Sequence, residues 1–250
     1  MHMNADCKSL RFINHKKEQT REKRGIMPGY IVHLTAAKLW IAQRKEKYDE
    51  EWIQKFLIGN LLPDAVENKE MTHFRDPKTR GNNVRYPELA DFLHASAGME
   101  RTPFWWGFYY HLYIDACFFQ EYMPRIVTFL NEKGEEEEKI SQIVKAKIHK
   151  TGLYKTRAEY FSDDYYYGDF TKMNNVLIER FGLKLNRKYE ADLPEPWNMR
   201  AEWLFSKLET FMNEAKVQND ELQVFDLEDL ILFLKEKAEA FSGEDKTDVS

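Results

Sequence analysis

The sequence predicts an all-α protein, and three observations carry that expectation. Side chains recur at helical spacing along much of the chain. Near the start, Ile31, Leu34, Lys38 and Ile41 trace one stripe and His33, Ala36, Ala37 and Trp40 another. Helix-start signatures precede such runs: Asp49 before two acids, Thr102 before Pro103, and Asp226 with Asp229 three residues on. No segment alternates with period two over a strand's length, and no strand–helix–strand rhythm or internal repeat is present.

Taken in order, the first helix starts at Tyr30. A second starts at Asp49, runs through Trp52, Ile53, Phe56 and Leu57, and stops before Pro63. Residues 63–85 read as a loop, with two prolines, Gly81 and an Asn pair. Pro87 suits the first position of a third helix that ends at Gly98. Thr102-Pro103 opens a long helix that reaches Tyr122, where Pro124 must kink or end it. The acidic run Glu135 to Glu138 is expected to start a helix carrying Ile140, Ile143, Val144 and Ile148. Further helices are expected from Phe170 to Phe181, around Trp203 to Met212, and from Asp226 onward with a Phe225–Leu230 staple. Residues 1–26 are polar and basic and are expected to be a disordered extension. Residues 27–242 are expected to form a single multi-helix domain, and residues 243–250 a flexible tail.

Composition narrows the function classes. A net charge of −5 offers no basic surface for nucleic acid, but leaves a small phosphoester or a phospholipid headgroup open as substrate. The two cysteines, Cys7 and Cys117, lie far apart and form no CxxC pair, which argues against a disulfide framework and fits a cytoplasmic location. The N-terminal segment lacks the apolar core of a signal peptide. The most apolar stretch, Thr102 to Phe119, carries His111 and Asp115 in its middle, so it is expected as a buried helix and not as a transmembrane segment.

His111 and Asp115 are the strongest chemical signal. On a helix, residues four apart project from one face, so an imidazole and a carboxylate there can chelate one cation. Trp105, Trp106, Phe108, Phe118 and Phe119 flank them, and an unpaired carboxylate among such residues is costly. A self-satisfied His–Asp hydrogen bond would meet the same need. Asp64, after Leu-Leu-Pro, is expected at a helix end, with His73 in the loop beyond it. His33 lies on the first helix beside small residues, Ala36 and Ala37, that leave room. Three histidines and two aspartates suit zinc or a similar borderline metal in the absence of a thiolate.

The strings Met27-Pro28-Gly29-Tyr30-Ile31-Val32-His33-Leu34, Gly59-Asn60-Leu61-Leu62-Pro63-Asp64, Thr72-His73-Phe74 and His111-Leu112-Tyr113-Ile114-Asp115 follow one another in that order. Together they resemble the bacterial zinc-dependent phospholipase C family, and Tyr167 to Asn174 resembles a stretch of its small, intracellular-looking members. The resemblance implies an all-α domain of the phospholipase C and P1 nuclease type. It implies metal ligation by His33, Asp64, His73, His111 and Asp115, with Asp115 bridging two ions and Asp64 serving as ligand or catalytic base. It implies hydrolysis of phosphoesters by metal-activated water. Two features differ from the secreted enzymes. No processed N-terminal Trp supplies a ligand, and no His-x-x-x-Glu pair follows His111, the only later histidine being His149 with Leu153 four residues on. One or two zinc ions are therefore expected, not three.

The alternative is a protein that keeps the fold and some ligands without turnover, as a metal-stabilised binding or regulatory module. An HD-type phosphohydrolase would need an adjacent His-Asp dipeptide, which the chain lacks. His94 is expected to be structural. Asp169 is expected to cap the helix that starts at Phe170. Asp163 and Asp164 could approach the site, and Lys69 and Arg75 could contact a phosphate, although solvated loop charges are the commoner case.

Overall fold

A computed structural model describes residues 29–44, 47–195, 200–214 and 221–242. The two expected tails, 1–26 and 243–250, lie outside the described residues. The chain is mostly helical, with nine α-helices and one small sheet among the described residues.

Two helices form the centre. Helix α1, Tyr30–Ala42, is buried along both of its expected stripes, with Ile31, His33, Leu34, Ala36, Ala37, Trp40 and Ile41 all inside. Helix α4, Pro103–Cys117, is buried in the same all-round way. A helix that is apolar around its circumference must be surrounded by other elements. Around them pack α2, Glu50–Gly59; α3, Leu89–Ala95; α7, Tyr166–Phe181; α8, Ala201–Glu214; and α9, Leu227–Ala240. The Tyr110 hydroxyl on α4 donates to the Ala36 carbonyl on α1 at 3.0 Å, tying the central pair together.

Helices α2 and α4 cross at glycine. A Cβ on Gly107 would overlap the Phe56 carbonyl, and one on Gly59 would overlap that of Phe104. Only glycine permits so close a backbone approach. The contact brings Asn60, the residue after α2, against α4, where its side-chain amide donates to the Gly107 carbonyl at 3.3 Å.

The expected caps are in place. Asp49 accepts from Trp52 N at 2.8 Å, Thr102 from Trp105 N at 3.3 Å, and Asp226 from Glu228 N and Asp229 N. Helix α3 is shorter than the expected span from Pro87 to Gly98, because Pro87 bridges to Arg75 instead of opening the helix. Beyond Cys117 the long helix widens into a π-turn, Phe118–Tyr122, and then a short α5, Met123–Ile126, that holds Pro124. A widened turn relieves the clash between a proline ring and the carbonyl one turn earlier.

The helix expected after Glu135 does not form. The chain leaves α5 as β1, Val127–Leu130, and returns as β2, Lys145–Ile148, with Val127 opposite Ile148 and Leu130 opposite Lys145. A third strand, β3, Tyr154–Lys155, pairs with β2 and leads into α6, Arg157–Tyr160. The acidic run lies in the β1–β2 connection, where Glu137 N donates to the Phe129 carbonyl at 2.9 Å. Along β2, Lys145 and Lys147 face solvent while Ala146 and Ile148 are fully buried. Four residues of alternation are too few to separate from helical spacing, and pairing with β1 decides the outcome.

Candidate metal centre

Four elements deliver the five expected side chains to one place. His33 comes from the first turn of α1, and His111 and Asp115 from one face of α4. Asp64 ends a 3₁₀ turn, Leu62–Asp64, and His73 follows another, Lys69–Met71. All five are buried, none more than 4% exposed. They form two overlapping groups, His33–His111–Asp115 and Asp64–His73–His111.

Hydrogen bonds fix what two of the imidazoles present. His111 Nδ1 lies 2.8 Å from the Asn60 carbonyl and must donate to it, which leaves Nε2 with a lone pair. His73 Nδ1 lies 3.1 Å from the Lys69 carbonyl and 3.0 Å from Thr72 Oγ1. The Thr72 hydroxyl donates to the Pro63 carbonyl at 2.8 Å, so His73 also donates through Nδ1 and keeps a lone pair on Nε2. These two Nε2 atoms face each other at 3.3 Å. With no proton between them the lone pairs repel, and a cation turns that repulsion into coordination. A backbone carbonyl behind each imidazole is the usual arrangement for a metal-ligating histidine.

Oxygens join the same point. His73 Nε2 is 3.4 Å from Asp64 Oδ1 and 3.4 Å from Asp115 Oδ2, and His111 Nε2 is 3.7 Å from Asp115 Oδ2 and 4.0 Å from Asp64 Oδ1. Donors around a tetrahedral zinc at roughly 2.0–2.1 Å stand about 3.3 Å apart, so the spacing fits a small cation with modest adjustment. On the other side, His33 Nε2 lies 3.3 Å from Asp115 Oδ1, and the His33 ring stacks on His111 with centroids 3.7 Å apart. Neither His33 nitrogen nor either Asp115 oxygen has an aligned hydrogen bond. His111 has one free lone pair and can serve only one ion. Asp115, with an oxygen toward each group, is the residue that could join two.

Charge points the same way. Burial, then His33, drives the His111 imidazole down to about 3, so it is neutral at ordinary pH. Burial would raise the Asp115 carboxyl, and His111, His33 and His73 hold it below its usual range only insofar as those rings carry protons. With His111 neutral, the charge on Asp115 is left to be met by a proton on a neighbouring ring or by a bound cation. For Asp64 burial also works upward, but Lys69, at 2.6 Å from Oδ1, and then His73 and His111 outweigh it and hold the carboxyl well below the usual range. Cys117, two residues past Asp115, is pushed up to about 11 by burial and stays a thiol, so it supplies no thiolate.

Backbone strain marks the loop. Phe74, next to His73, adopts φ 47°, which a non-glycine residue rarely takes. Its ring packs edge-on against Phe92 of α3 at 5.4 Å, which holds the turn.

Several neighbours were invisible in the sequence. The Asn60 carbonyl, the Lys69 carbonyl and Thr72 orient imidazoles through backbone groups or one hydroxyl, and no residue pattern announces that. Lys69 is not a solvated loop charge but the partner of Asp64, whereas Arg75 pairs with Glu70. Other residues singled out in the sequence lie elsewhere. His94 is exposed on α3, and His149 is exposed between Thr128 Oγ1 and the Arg125 carbonyl. Asp163 and Asp164 are exposed in the turn before α7. Asp169 is not an N-cap. Helix α7 begins at Tyr166, and the Asp169 carboxylate, fully buried, accepts from Gln223 N, Val224 N and Phe225 N at 2.6–3.1 Å. Among the described residues no helix is long and apolar enough to cross a membrane. Comparison with protein-family models, with curated proteins and with solved structures gives no match to this chain.

Proposed function

We propose that this protein is a zinc-dependent phosphoester hydrolase whose domain is of the phospholipase C type. The observation that carries the metal is the meeting of His73 Nε2 and His111 Nε2, both with lone pairs, beside Asp64 and Asp115. Nitrogen and oxygen donors without a thiolate suit zinc. The hydrolytic half rests on the order of the four motifs and on their delivery to one point. When bound, a divalent ion supplies Lewis acidity toward a phosphoryl oxygen and toward water.

The residues divide the remaining work. His73 and His111 are held in one tautomer by the Lys69 and Asn60 carbonyls, so they offer Nε2 without reorganisation. Asp115 reaches toward both groups, one oxygen to each. Asp64 acts as ligand more than as base. Lys69 and the imidazoles hold its carboxyl well below the usual range, which favours coordination and disfavours taking a proton near neutral pH.

The burial of all five side chains favours a second function, a metal-stabilised binding or regulatory module without turnover. One experiment separates the two. The protein is purified without added metal, its metal content is measured, and phosphomonoesters and phosphodiesters are screened. We expect at least one zinc per chain and an activity that chelation abolishes and zinc restores. Stoichiometric zinc with no activity on any phosphoester would establish the second function, and absence of bound metal with no uptake of added zinc would defeat both.

A further inference from the structure

Lys69 touches the centre twice, and the two contacts differ in kind. Its backbone is fixed. The Asn68 side chain caps the 3₁₀ turn Lys69–Met71 by accepting from Glu70 N at 3.2 Å, and the Lys69 carbonyl accepts from His73 Nδ1 at 3.1 Å. Its side chain is held by one partner. Nζ lies 2.6 Å from Asp64 Oδ1, and among the described residues no other carboxylate comes within 4.0 Å of it.

The oxygen that Lys69 touches is the one Asp64 turns to the imidazoles. Oδ1 stands 3.4 Å from His73 Nε2 and 4.0 Å from His111 Nε2. It is buried and no hydrogen bond is aligned on it, so the ammonium meets it as a point charge. Lys69 is also the one member of the group that reaches solvent. Its side chain is 27% exposed, against 3% for Asp64 and 0% for His73, His111 and Asp115. A lysine stem is flexible and its ammonium is strongly hydrated, so Nζ can move to water while the backbone stays in place.

Asp64 Oδ1 cannot serve two cations equally. A zinc at roughly 2.0–2.2 Å from that oxygen would stand no farther than about 4.8 Å from an ammonium that is itself 2.6 Å away. Two positive charges that close, beside groups almost wholly withdrawn from water, repel more strongly than they would in solvent. We propose that Lys69 and the metal ion are alternatives at Asp64 Oδ1: the ammonium is a built-in cation there, and an ion that takes the oxygen displaces it toward solvent. Lys69 thereby lowers the affinity of the centre for metal and stabilises the protein without it. The inference rests on the metal-dependent function proposed above and adds a residue that sets how tightly the ion is held.

The test uses Lys69→Met in the full chain, which removes the charge and keeps the stem. Lys69→Arg, which keeps the charge, and Arg75→Met, which removes a cation that pairs with Glu70 on the same loop, are the references. Zinc affinity is measured by competition with a chelator, and melting temperature with and without saturating zinc. Lys69→Met should bind zinc about tenfold more tightly or better, because a competing like charge is gone. Without metal it should melt lower by about 5 °C or more, because buried Asp64 has lost its partner, and saturating zinc should close that gap. Lys69→Arg and Arg75→Met should bind zinc much as the unaltered chain does. If Lys69→Met does not fold without metal, Lys69→Gln, which keeps a neutral donor at Asp64, carries the same expectations. Unchanged or weaker zinc binding in the uncharged variant, an equal gain in Arg75→Met, or a melting gap that persists at saturating zinc would overturn the competition while leaving the metal centre intact. A chain that takes up no zinc in any form would overturn both.

Discussion

Asp115 and Asp169 are both fully buried aspartates on helices of one core, and they are solvated in opposite ways. Around Asp169, three consecutive backbone N–H groups of residues 223–225 converge on the carboxylate at 2.6–3.1 Å, with Lys172 Nζ at 3.8 Å. That charge is stabilised by fixed protein dipoles and asks for nothing more. Around Asp115 stand three imidazoles at 3.3–3.7 Å and no aligned donor. Burial alone does not mark a functional carboxylate. The mark is burial without hydrogen-bond donors, among groups that are themselves lone-pair donors.

The comparison can be broken at Asp169 first, where the largest effect on the fold is expected. Asp169→Ala strands three N–H groups, those of Val224 and Phe225 buried and that of Gln223 part-buried, and loss of one partner from such a set costs about 3–5 kcal/mol. Chemical denaturation should show that loss, while the folded fraction keeps its full metal content. A variant that lost metal and kept its stability would reverse the roles assigned to the two aspartates.

Next come Asp115→Ala and His111→Ala. Each should bring bound metal close to zero, and the double variant should be no worse than either, because both act through one ion. Without metal, Asp115→Ala should cost far less stability than Asp169→Ala, because no aligned hydrogen bond is lost. Elemental analysis beside denaturation reads both quantities. Retained metal in either single variant would return the pair to a structural hydrogen-bonded role.

The smallest effect is a pH dependence of the metal-free protein. The His111 imidazole takes a proton near 6.5 when unfolded but only at about 3 when folded. The unfolded state therefore binds more protons between those values, and stability falls as the pH drops from about 6.5 toward about 3. The slope contributed by one such group is at most about 1.4 kcal/mol per pH unit. Denaturant midpoints between pH 6.5 and 5 should follow this slope, and His111→Asn should flatten it. An unchanged slope in that variant would mean that His111 is not held neutral by its surroundings.

Much of the centre was legible in local chemistry. His111 and Asp115 declared themselves because four residues on a helix is one turn, and an apolar flank makes a carboxylate conspicuous. Asp169 misled for the same local reason: an acid just before a helical run resembles an N-cap, and nothing nearby in the chain shows that its partners lie more than fifty residues away. The β1–β2 hairpin was hidden because Ile140, Ile143, Val144 and Ile148 suit helical spacing, while the strand that β2 pairs with lies some twenty residues earlier.

By itself the sequence determined the helical core, the caps at Asp49, Thr102 and Asp226, and the identity of the five candidate ligands, because periodicity, capping and donor type are properties of neighbouring residues. Tertiary structure alone decided the rest. The Gly59–Gly107 crossing set Asn60 behind His111, Lys69 was placed on Asp64, and Tyr30 and Tyr166 were left with buried hydroxyls that have no hydrogen-bond partner. Those outcomes depend on which backbone carbonyl or charge meets which side chain across the core, and hydrogen-bond geometry of that kind is encoded in packing, not in spacing along the chain.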